Sequence, residues 1–392
     1  MRTHKKALNR ITAICLALMM CCFLCACGSS GSGQSQQTGV SAAEQPGTGA
    51  QSAEPASSKE TKEEADGADA DNSKSETAYD GAESLTEAAS DIYGFHVSGN
   101  KLLDANGNEF IMRGINHAHT WYATYDLKAF EAIAETGSNC IRIVCSNGVQ
   151  WSEDHDKTVL ALINQSKKNK MIAIVEVHDA TGQNDLDSLS KAVDYWCNMA
   201  SIFEGTEAYC ILNIANEWMG DWNTDRWCEG YVDAVKRIRA AGIHNTILVD
   251  AAGWGQYGKS IAEKGTQVFE ADPEHNTMFA IHMYGTAGKN EQTIRENIDG
   301  VLNQNLCLCI GEFGYTHSDG DVDEAFLMQY CEEKGVGYLG WSWKGNGGGV
   351  EYLDISNDWQ GKELSPDWGV NLIDGPNGIR ETAKMCSVYE QQ

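Results

Sequence analysis

The 392-residue sequence predicts an α/β fold, a (β/α)8 TIM barrel, from three observations. Short apolar runs typical of buried parallel strands alternate with amphipathic segments typical of helices. Eight such runs follow one another within about 300 residues, a length typical of one closed barrel of eight βα units. No period of about 20–50 residues repeats, so a solenoid is not expected. A doubly wound open sheet is the competing fold, and eight consecutive units favour closure over it.

The predicted elements can be assigned from the residue pattern. The eight apolar runs are Phe110–Asn116, Cys140–Ser146, Met171–Asp179, Tyr209–Trp218, Thr246–Ala252, Met278–Tyr284, Leu306–Gly314 and Gly337–Trp343. The clearest helical segments are Leu127–Thr136, Val159–Asn169, Leu186–Phe203 and Trp227–Ala241. Ahead of the first run, Phe95–Leu103 and the Asn-Gly turn within Asp104–Gly107 predict a hairpin that closes the barrel floor. Arg380–Tyr389 is predicted to be the closing helix.

Residues 1–27 have the pattern of a signal peptide. Four basic residues between Arg2 and Arg10 precede an apolar stretch that is too short for a typical transmembrane span. The stretch ends in Leu24-Cys25-Ala26-Cys27, which resembles a bacterial lipobox and predicts Cys27 as the lipidated first residue of the mature chain. An ordinary signal peptide that is cut nearby is the alternative. We therefore expect an extracellular protein that a lipid on Cys27 anchors to the bacterial cell membrane.

Residues 28–90 are predicted to be a disordered acidic linker. They are rich in Ser, Gly, Ala and Glu, carry 12 acidic and 3 basic residues, and hold too few large apolar side chains to form a core. Residues 91–392 are then the folded domain, which we expect to be a monomer. The net charge of the whole chain, −27, argues against nucleic-acid binding.

The cysteines of the folded domain do not indicate a metal site. The domain has nine, an odd number that cannot all pair, and no CxxC motif occurs among them. His178 and His282 lack a third ligand at a suitable spacing in the sequence. We therefore expect no metal and no cofactor.

Polar residues gather where the predicted strands end. In a (β/α)8 barrel these ends meet at one mouth, where the chemistry of such proteins is carried out. The residues in question are Arg142, Glu176, His178, Asn216, Glu217, His282, Tyr284, Glu312 and Trp341. Ionisable or polar groups at six strand ends have no structural reason to face one mouth, so they indicate an active site.

Two of these carboxylates could flank one glycosidic bond. Cleavage of such a bond uses one carboxyl group as the acid and another as a nucleophile or base. Glu312 could be kept ionised by Arg142 and the Tyr284 hydroxyl, and Glu217 could be kept protonated by the negative charge of Glu312. Taken singly, a glutamate at a strand end is more often a structural ion-pair partner.

The supply of tryptophan near the strand ends also fits a sugar ligand, because flat rings stack on the C–H faces of pyranoses. For any one of these rings core packing is an equally good explanation, and of Trp341 and Trp343 one could pack and one could bind. The rings are Trp121, Trp151, Trp218, Trp222, Trp254, Trp341, Trp343 and Trp359.

The ordered set of strand-end residues resembles the signature of glycoside hydrolase family 5. The segments Met112–His119, Glu176–Gly182, Ile281–Tyr284 and Trp341–Asp354 are similar to its bacterial endo-β-1,4-mannanase branch. The resemblance covers about Tyr93 to Tyr389 and makes residues 91–392 a glycoside hydrolase catalytic domain. It implies β-mannan as the substrate and a retaining mechanism.

The resemblance also implies roles for individual residues. Glu217 would be the acid/base and Glu312 the nucleophile. Arg142 and Tyr284 would steady the nucleophile, and His282 would tune the acid/base. The residues expected to bind the sugar are His178, Asn216, Trp341, His119 and Trp121.

Three alternatives remain open at the level of the sequence. A β-1,4-glucanase of the same family would use the same catalytic residues. A sugar-binding lipoprotein would explain the leader, the linker and the aromatic residues, but it would not need Glu217 and Glu312. An inactive barrel that only binds sugar is the third.

Overall fold

The computed structural model describes residues 94–390, and its centre is a closed barrel of eight parallel strands. The barrel strands are β3 (Arg113–His117), β4 (Cys140–Cys145), β5 (Ile172–Val177), β6 (Cys210–Asn213), β7 (Ile247–Asp250), β8 (Thr277–Met283), β9 (Leu308–Phe313) and β12 (Gly337–Gly340). Each overlaps one of the eight predicted runs, and only β3 and β8 extend a single residue beyond theirs, so the barrel prediction is confirmed. The predicted signal peptide and linker lie outside the described residues.

The strands follow one another around the barrel in chain order, and β12 closes it by pairing with both β9 and β3. Within residues 94–390, only one connection between barrel strands contains further strands, the short hairpin of β10 (Thr316–His317) and β11 (Gly320–Asp321) between β9 and the next helix. The register between β8 and β9 shifts at Ile281/His282, which places His282 opposite Glu312.

Helices cover the outside of the barrel. They are α1 (His119–Tyr122), α2 (Asp126–Glu135), α3 (Asp156–Lys168), α4 (Leu186–Asn198), α5 (Thr224–Ala240), α6 (Gly258–Ala271), α7 (Glu291–Leu302), α8 (Glu324–Lys334), α9 (Gly369–Asp374) and α10 (Ile379–Thr382). Asp185, Asn223, Asn290 and Asp323 begin α4, α5, α7 and α8 by accepting a hydrogen bond from a backbone N–H of the first turn. None of the helices within residues 94–390 is both long and apolar enough to cross a membrane.

Strand alternation separates two apolar clusters and creates the polar mouth. On β4, Ile141 and Ile143 belong to the large cluster between barrel and helices, whereas Cys140 belongs to the cluster inside the barrel. Arg142, two residues after Cys140, therefore faces inward one layer higher. The same alternation turns Glu176, Asn213, Asp250 and His282 inward above an apolar lower layer. The nine cysteines of the described domain are all free, and most lie in these clusters.

The barrel floor differs in detail from the prediction. β1 (His96–Ser98) and β2 (Lys101–Leu103) form a hairpin that turns at Gly99 and Asn100. The Asn106-Gly107 turn instead reverses the chain after β2, so that Glu109 forms an isolated antiparallel bridge with Leu103. The side chains of this segment join the inner cluster, and the prediction that it closes the floor is confirmed.

The predicted closing helix is wrong. The last helix is the four-residue α10, and the chain then extends to a single 3-10 turn at Ser387–Tyr389. Tyr389 packs into the floor cluster and donates a hydrogen bond to the Met171 carbonyl. Cys386, Val388 and Tyr389 are apolar because they are buried in the floor, and in the sequence they resemble the apolar face of a helix.

The buried Arg239–Asp272 ion pair stabilises the lower edge of the barrel. The Arg239 guanidinium donates to both Asp272 oxygens at 2.9 and 3.0 Å, and to the carbonyls of Ile243, Asn245 and Asn276. Arg239→Ala should lower the free energy of unfolding by about 3–5 kcal/mol, because it leaves a buried carboxylate without its partner. Urea denaturation followed by circular dichroism measures this change.

Arg237 provides the matched control. Its side chain is one-third exposed and pairs with the exposed Asp194 and Asp233. Arg237→Ala should cost less than about 1 kcal/mol. Equal losses for the two variants would contradict this account of the floor.

Candidate active site

Glu217 and Glu312 face each other inside the barrel mouth. Glu312 is on β9, and Glu217 follows β6 with a φ of +42°, a left-handed conformation that its N–H hydrogen bond to Asp250 supports at 3.1 Å. Both residues are buried: 2% of the surface of Glu217 and 4% of that of Glu312 are exposed. His282 lies between them, its Nδ1 2.6 Å from Glu217 Oε1 and 3.7 Å from Glu312 Oε2.

Arg142 and Tyr284 hold the Glu312 carboxylate from two sides. Arg142 Nη1 donates to Oε1 at 2.7 Å, and the Tyr284 hydroxyl donates to Oε2 at 2.9 Å. Arg142 is held in turn by three side-chain amides, Asn116, Asn213 and Asn216, at 2.7–3.0 Å. One carboxylate of the site is thus fixed in position and charge-paired.

The acidities of the two glutamates differ in the expected order. Burial, with the charges of Glu312 and Asp250, raises the pKa of Glu217 well above its usual value. Burial also raises the pKa of Glu312 to about 7, although Arg142, His178 and the Tyr284 hydroxyl act in the opposite direction. The expectation that Glu312 is simply kept ionised is therefore too strong. Glu217 retains its proton more firmly, which is the asymmetry that an acid and a nucleophile require.

A wall of aromatic rings borders the carboxylates. The Trp341 ring stacks on His178 at 5.7 Å between centroids, and the edge of Trp121 meets His178 at 5.2 Å. Trp151 packs on Trp121. Trp341 remains partly exposed beside the cleft, whereas Trp343 is fully buried in the core. Both follow β12 rather than forming part of it.

His178 and Asn216 lie beside this wall. His178 Nδ1 is 2.9 Å from Glu176 Oε1, which orients the imidazole and, despite burial, raises its pKa. Asn216 Nδ2 is 3.4 Å from His178 Nε2 and donates to the Thr181 hydroxyl. The two polar side chains therefore contact each other, and the charge of His178 acts on Glu312.

His119 is buried among carboxylates, and its predicted contact with substrate stays a prediction. It is 2% exposed, and its ring nitrogens face Asp126 at 2.8 Å and Asp154 at 3.2 Å. Asp126 also binds His117, so the four side chains form a buried polar cluster beneath the Trp121 segment. Both ring nitrogens of His119 are therefore already paired with carboxylates.

Sequence reasoning missed three inward-facing groups of the site, Asn116, Asn213 and Asp250. Asn116 and Asn213 position Arg142, while Asp250 lies between Arg142, Glu217 and His282. All three are completely buried. The signal that could have found them is the period of two: each follows an inward-facing apolar or small residue on its strand.

Within residues 94–390 one group of side chains has a spacing that a metal ion could bridge. It is Glu217, His282 and Glu312, whose potential ligand atoms lie within 4.8 Å of one another. The hydrogen bond between Glu217 and His282 accounts for this proximity. The absence of a metal stays a prediction.

The fold and this site together define a glycoside hydrolase, since paired buried carboxylates at a barrel mouth are the apparatus of glycosidic cleavage. The chain belongs to the cellulase family, glycosyl hydrolase family 5, which it matches over residues 103–347. The family resemblance predicted from the strand-end residues is thereby confirmed.

Individual relatives are closely similar. The mannan endo-1,4-beta-mannosidase of Salipaludibacillus agaradhaerens is 52% identical over 296 residues, which cover 76% of this chain and 96% of that protein. The solved structure of the beta-mannanase from Thermomonospora fusca is 43% identical, covers 75% of this chain and 99% of its own, and superposes with a TM-score of 0.72. Its mannohexaose complex is 42% identical, with the same coverage and a TM-score of 0.71.

The His119 cluster makes stability depend on pH. Burial alone lowers the pKa of His119, but hydrogen bonds to Asp126 and Asp154 outweigh it and raise the pKa to about 9. A folded-state pKa above the unfolded value of 6.5 stabilises the fold below pH 6.5, and this contribution is lost as the pH rises through about 9. His119→Gln should therefore cost on the order of 3 kcal/mol more near pH 6 than near pH 10.

Denaturant unfolding of both proteins at the two pH values measures this difference. His244→Gln is the control, because His244 is exposed and its pair with Glu274 is screened by solvent. A cost of His119→Gln that does not vary with pH would refute a charged His119.

Proposed function

We propose that this protein hydrolyses internal β-1,4-mannosidic bonds of mannan, galactomannan or glucomannan, with retention of configuration. The observation that carries the proposal is the Glu217–Glu312 pair, in which one oxygen of each lies within 4.8 Å of the other. Retaining glycosidases hold their carboxyl groups about 5–5.5 Å apart, whereas inverting enzymes need about 6.5–9.5 Å. Mannan as the substrate is supported by relatives that are 40–52% identical and named mannan endo-1,4-beta-mannosidase.

In the first step Glu312 is the nucleophile and Glu217 the acid. Glu312 attacks the anomeric carbon while Glu217 gives its proton to the departing glycosidic oxygen, which leaves a glycosyl ester on Glu312. Arg142 and Tyr284 favour the ionised form of Glu312, which is the form that attacks the anomeric carbon. In the second step Glu217 takes a proton from water, and the water oxygen displaces Glu312 from the sugar.

Neighbouring side chains bind the sugar at the point of cleavage. Trp341 offers a partly exposed ring, stacked on His178, as the platform for a pyranose face. Asn216 and His178 present polar atoms for sugar hydroxyls, and Trp121 extends the aromatic wall. His282 faces Glu217 at 2.6 Å and adjusts its proton affinity. No cofactor takes part in this chemistry.

The first rival is a β-1,4-glucanase of the same family. It would use the same pair of glutamates, and the two activities differ only in how the sugar hydroxyls are bound. The second rival, a sugar-binding lipoprotein or an inactive barrel, does not account for two buried carboxyl groups of different acidity around one histidine.

The deciding experiment measures release of reducing ends by purified residues 91–392 on mannan, galactomannan, glucomannan and carboxymethyl-cellulose. We expect rapid release from the mannans and little from the cellulose derivative. Glu312→Ala should lower the rate by at least about 10⁴-fold, because it removes the group that forms the covalent intermediate. Glu333→Ala, at an exposed carboxylate on α8, is the control and should retain activity.

Each result separates the alternatives. Preference for the glucan would keep the mechanism and change the substrate. Binding of mannan without release of reducing ends would favour the non-catalytic barrel.

We also propose that the enzyme acts outside the cell as a monomer, anchored through a lipid on Cys27. The support is the basic and apolar pattern of residues 1–27 with its lipobox-like end, followed by the acidic segment 28–90. A spacer of about 60 flexible residues would extend roughly 45 Å from the membrane.

Metabolic labelling with a radioactive fatty acid in a bacterial host tests the anchor. The full chain should carry label and sediment with membranes, and Cys27→Ala should lose both properties. Cys25→Ala is the matched control, since it changes a neighbouring cysteine and should leave the label in place. Label that persists in Cys27→Ala would refute the assignment.

A further inference from the structure

His282 presents two different nitrogens to the site. Its Nδ1 lies 2.6 Å from Glu217 Oε1, and its Nε2 points to the opposite side, where Asp250 Oδ2 lies 3.5 Å away. His282 is completely buried, and Nε2 has no hydrogen-bond partner among the described residues. Burial, assisted by the positive charges of Arg142 and His178, lowers the pKa of His282 well below its usual value. The ring is therefore neutral and carries one proton.

The position of that proton decides what Glu217 can do. A proton on Nδ1 would be donated to the Glu217 carboxylate, which would stabilise the ionised form and remove the acid. A proton on Nε2 leaves the lone pair of Nδ1 facing Glu217, where it accepts a hydrogen bond from the protonated carboxyl group. Only the second arrangement supports acid catalysis in the first step.

We propose that Asp250 is a positioning residue for the acid: its carboxylate holds the His282 proton on Nε2, so that Nδ1 accepts from protonated Glu217. Asp250 is completely buried at the end of β7, so its charge acts over a short distance without solvent. A lone pair on Nε2 would face this carboxylate and be repelled, whereas an N–H is attracted. This inference rests on the proposed glycosidic cleavage.

Asp250 also fixes the backbone that carries the acid. Its Oδ2 accepts the Glu217 N–H at 3.1 Å, and its Oδ1 accepts from Asn213 Nδ2 at 3.0 Å. Arg142 Nη2 lies 3.5 Å from Oδ2 and keeps the carboxylate paired. One buried aspartate thus contacts both Glu217 and the histidine that faces Glu217.

The charged surroundings agree with this role. The groups that face Glu217 are Glu312 on β9, Asp250 on β7, Arg142 on β4 and Glu176 on β5. The negative charge of Asp250 raises the pKa of Glu217, and so does a hydrogen-bond acceptor at Nδ1. Loss of Asp250 should therefore lower the proton affinity of Glu217 in two ways that act in the same direction, so that less of the protonated acid is present.

The test compares two substrates in purified wild type and Asp250→Asn, each at its pH optimum. Mannohexaose has a poor leaving group that needs the acid, whereas 2,4-dinitrophenyl β-mannobioside has a leaving group that departs unprotonated. We expect kcat/KM for mannohexaose to fall by about 10²-fold, the scale of general acid catalysis, and that for the activated substrate by less than about 5-fold. Asp104→Asn, at a buried aspartate on the barrel floor, should change both equally or not at all.

Three results for Asp250→Asn would overturn the proposal. They are an equal fall of kcat/KM for both substrates, a larger fall for the activated substrate, and unchanged kcat/KM for both. A second measurement covers the case in which Asp250→Asn does not fold. Nitrogen NMR of wild-type protein labelled at histidine should find the His282 proton on Nε2, and a proton on Nδ1 would refute the assignment. If wild type prefers the corresponding glucosides, the same comparison is made with them, so an incorrect substrate does not affect this test.

Discussion

The Arg142 guanidinium is completely buried, and all five of its N–H donors are used: one for each of Asn116, Asn213, Asn216, Glu312 and Asp250. A buried cation of this kind is stable only where carboxylates surround it, and those carboxylates in turn would repel one another without it. The partners come from β3, β6, β7 and β9 and from the residues just after β6. The positions of these five partners therefore depend on this single side chain, which joins strands that are far apart in the sequence.

The barrel makes such a centre possible because it divides its inward-facing residues into layers. The lower layer is apolar and is sealed by the N-terminal hairpin and Tyr389, so the polar layer above it opens only toward the mouth. The apolar layer below the site and the aromatic rings beside it lower the local dielectric constant, which strengthens the interactions among the charged groups of the polar layer. The same surroundings push the proton affinities of Glu217 and Glu312 upward to different extents, which gives two identical side chains different tasks.

The sequence was most informative where a pattern is local. Continuous apolar runs predicted all eight strands, and the ends of these runs placed Glu217, Glu312, Arg142, His178 and Trp341 at one mouth. It failed where contacts are decided by distant partners. The turn at Gly99 in place of Gly107 and the extended chain after Thr382 depend on packing that local patterns do not encode. The same is true of the two aspartates that surround His119. Asp250 went unnoticed although it lies two residues after the inward-facing Leu248, because only its partners on other strands show what it does.

The two ends of the described domain both lie on the floor. Phe95 accepts hydrogen bonds from Thr246 and Asn276 at the lower edge of β7 and β8, and Tyr389 packs beside Tyr209. The cleft opens at the opposite end of the barrel. A bead, a surface or a fused partner attached at either end would thus leave the cleft turned outward, and a long polymer could cross it sideways without having to thread past the support.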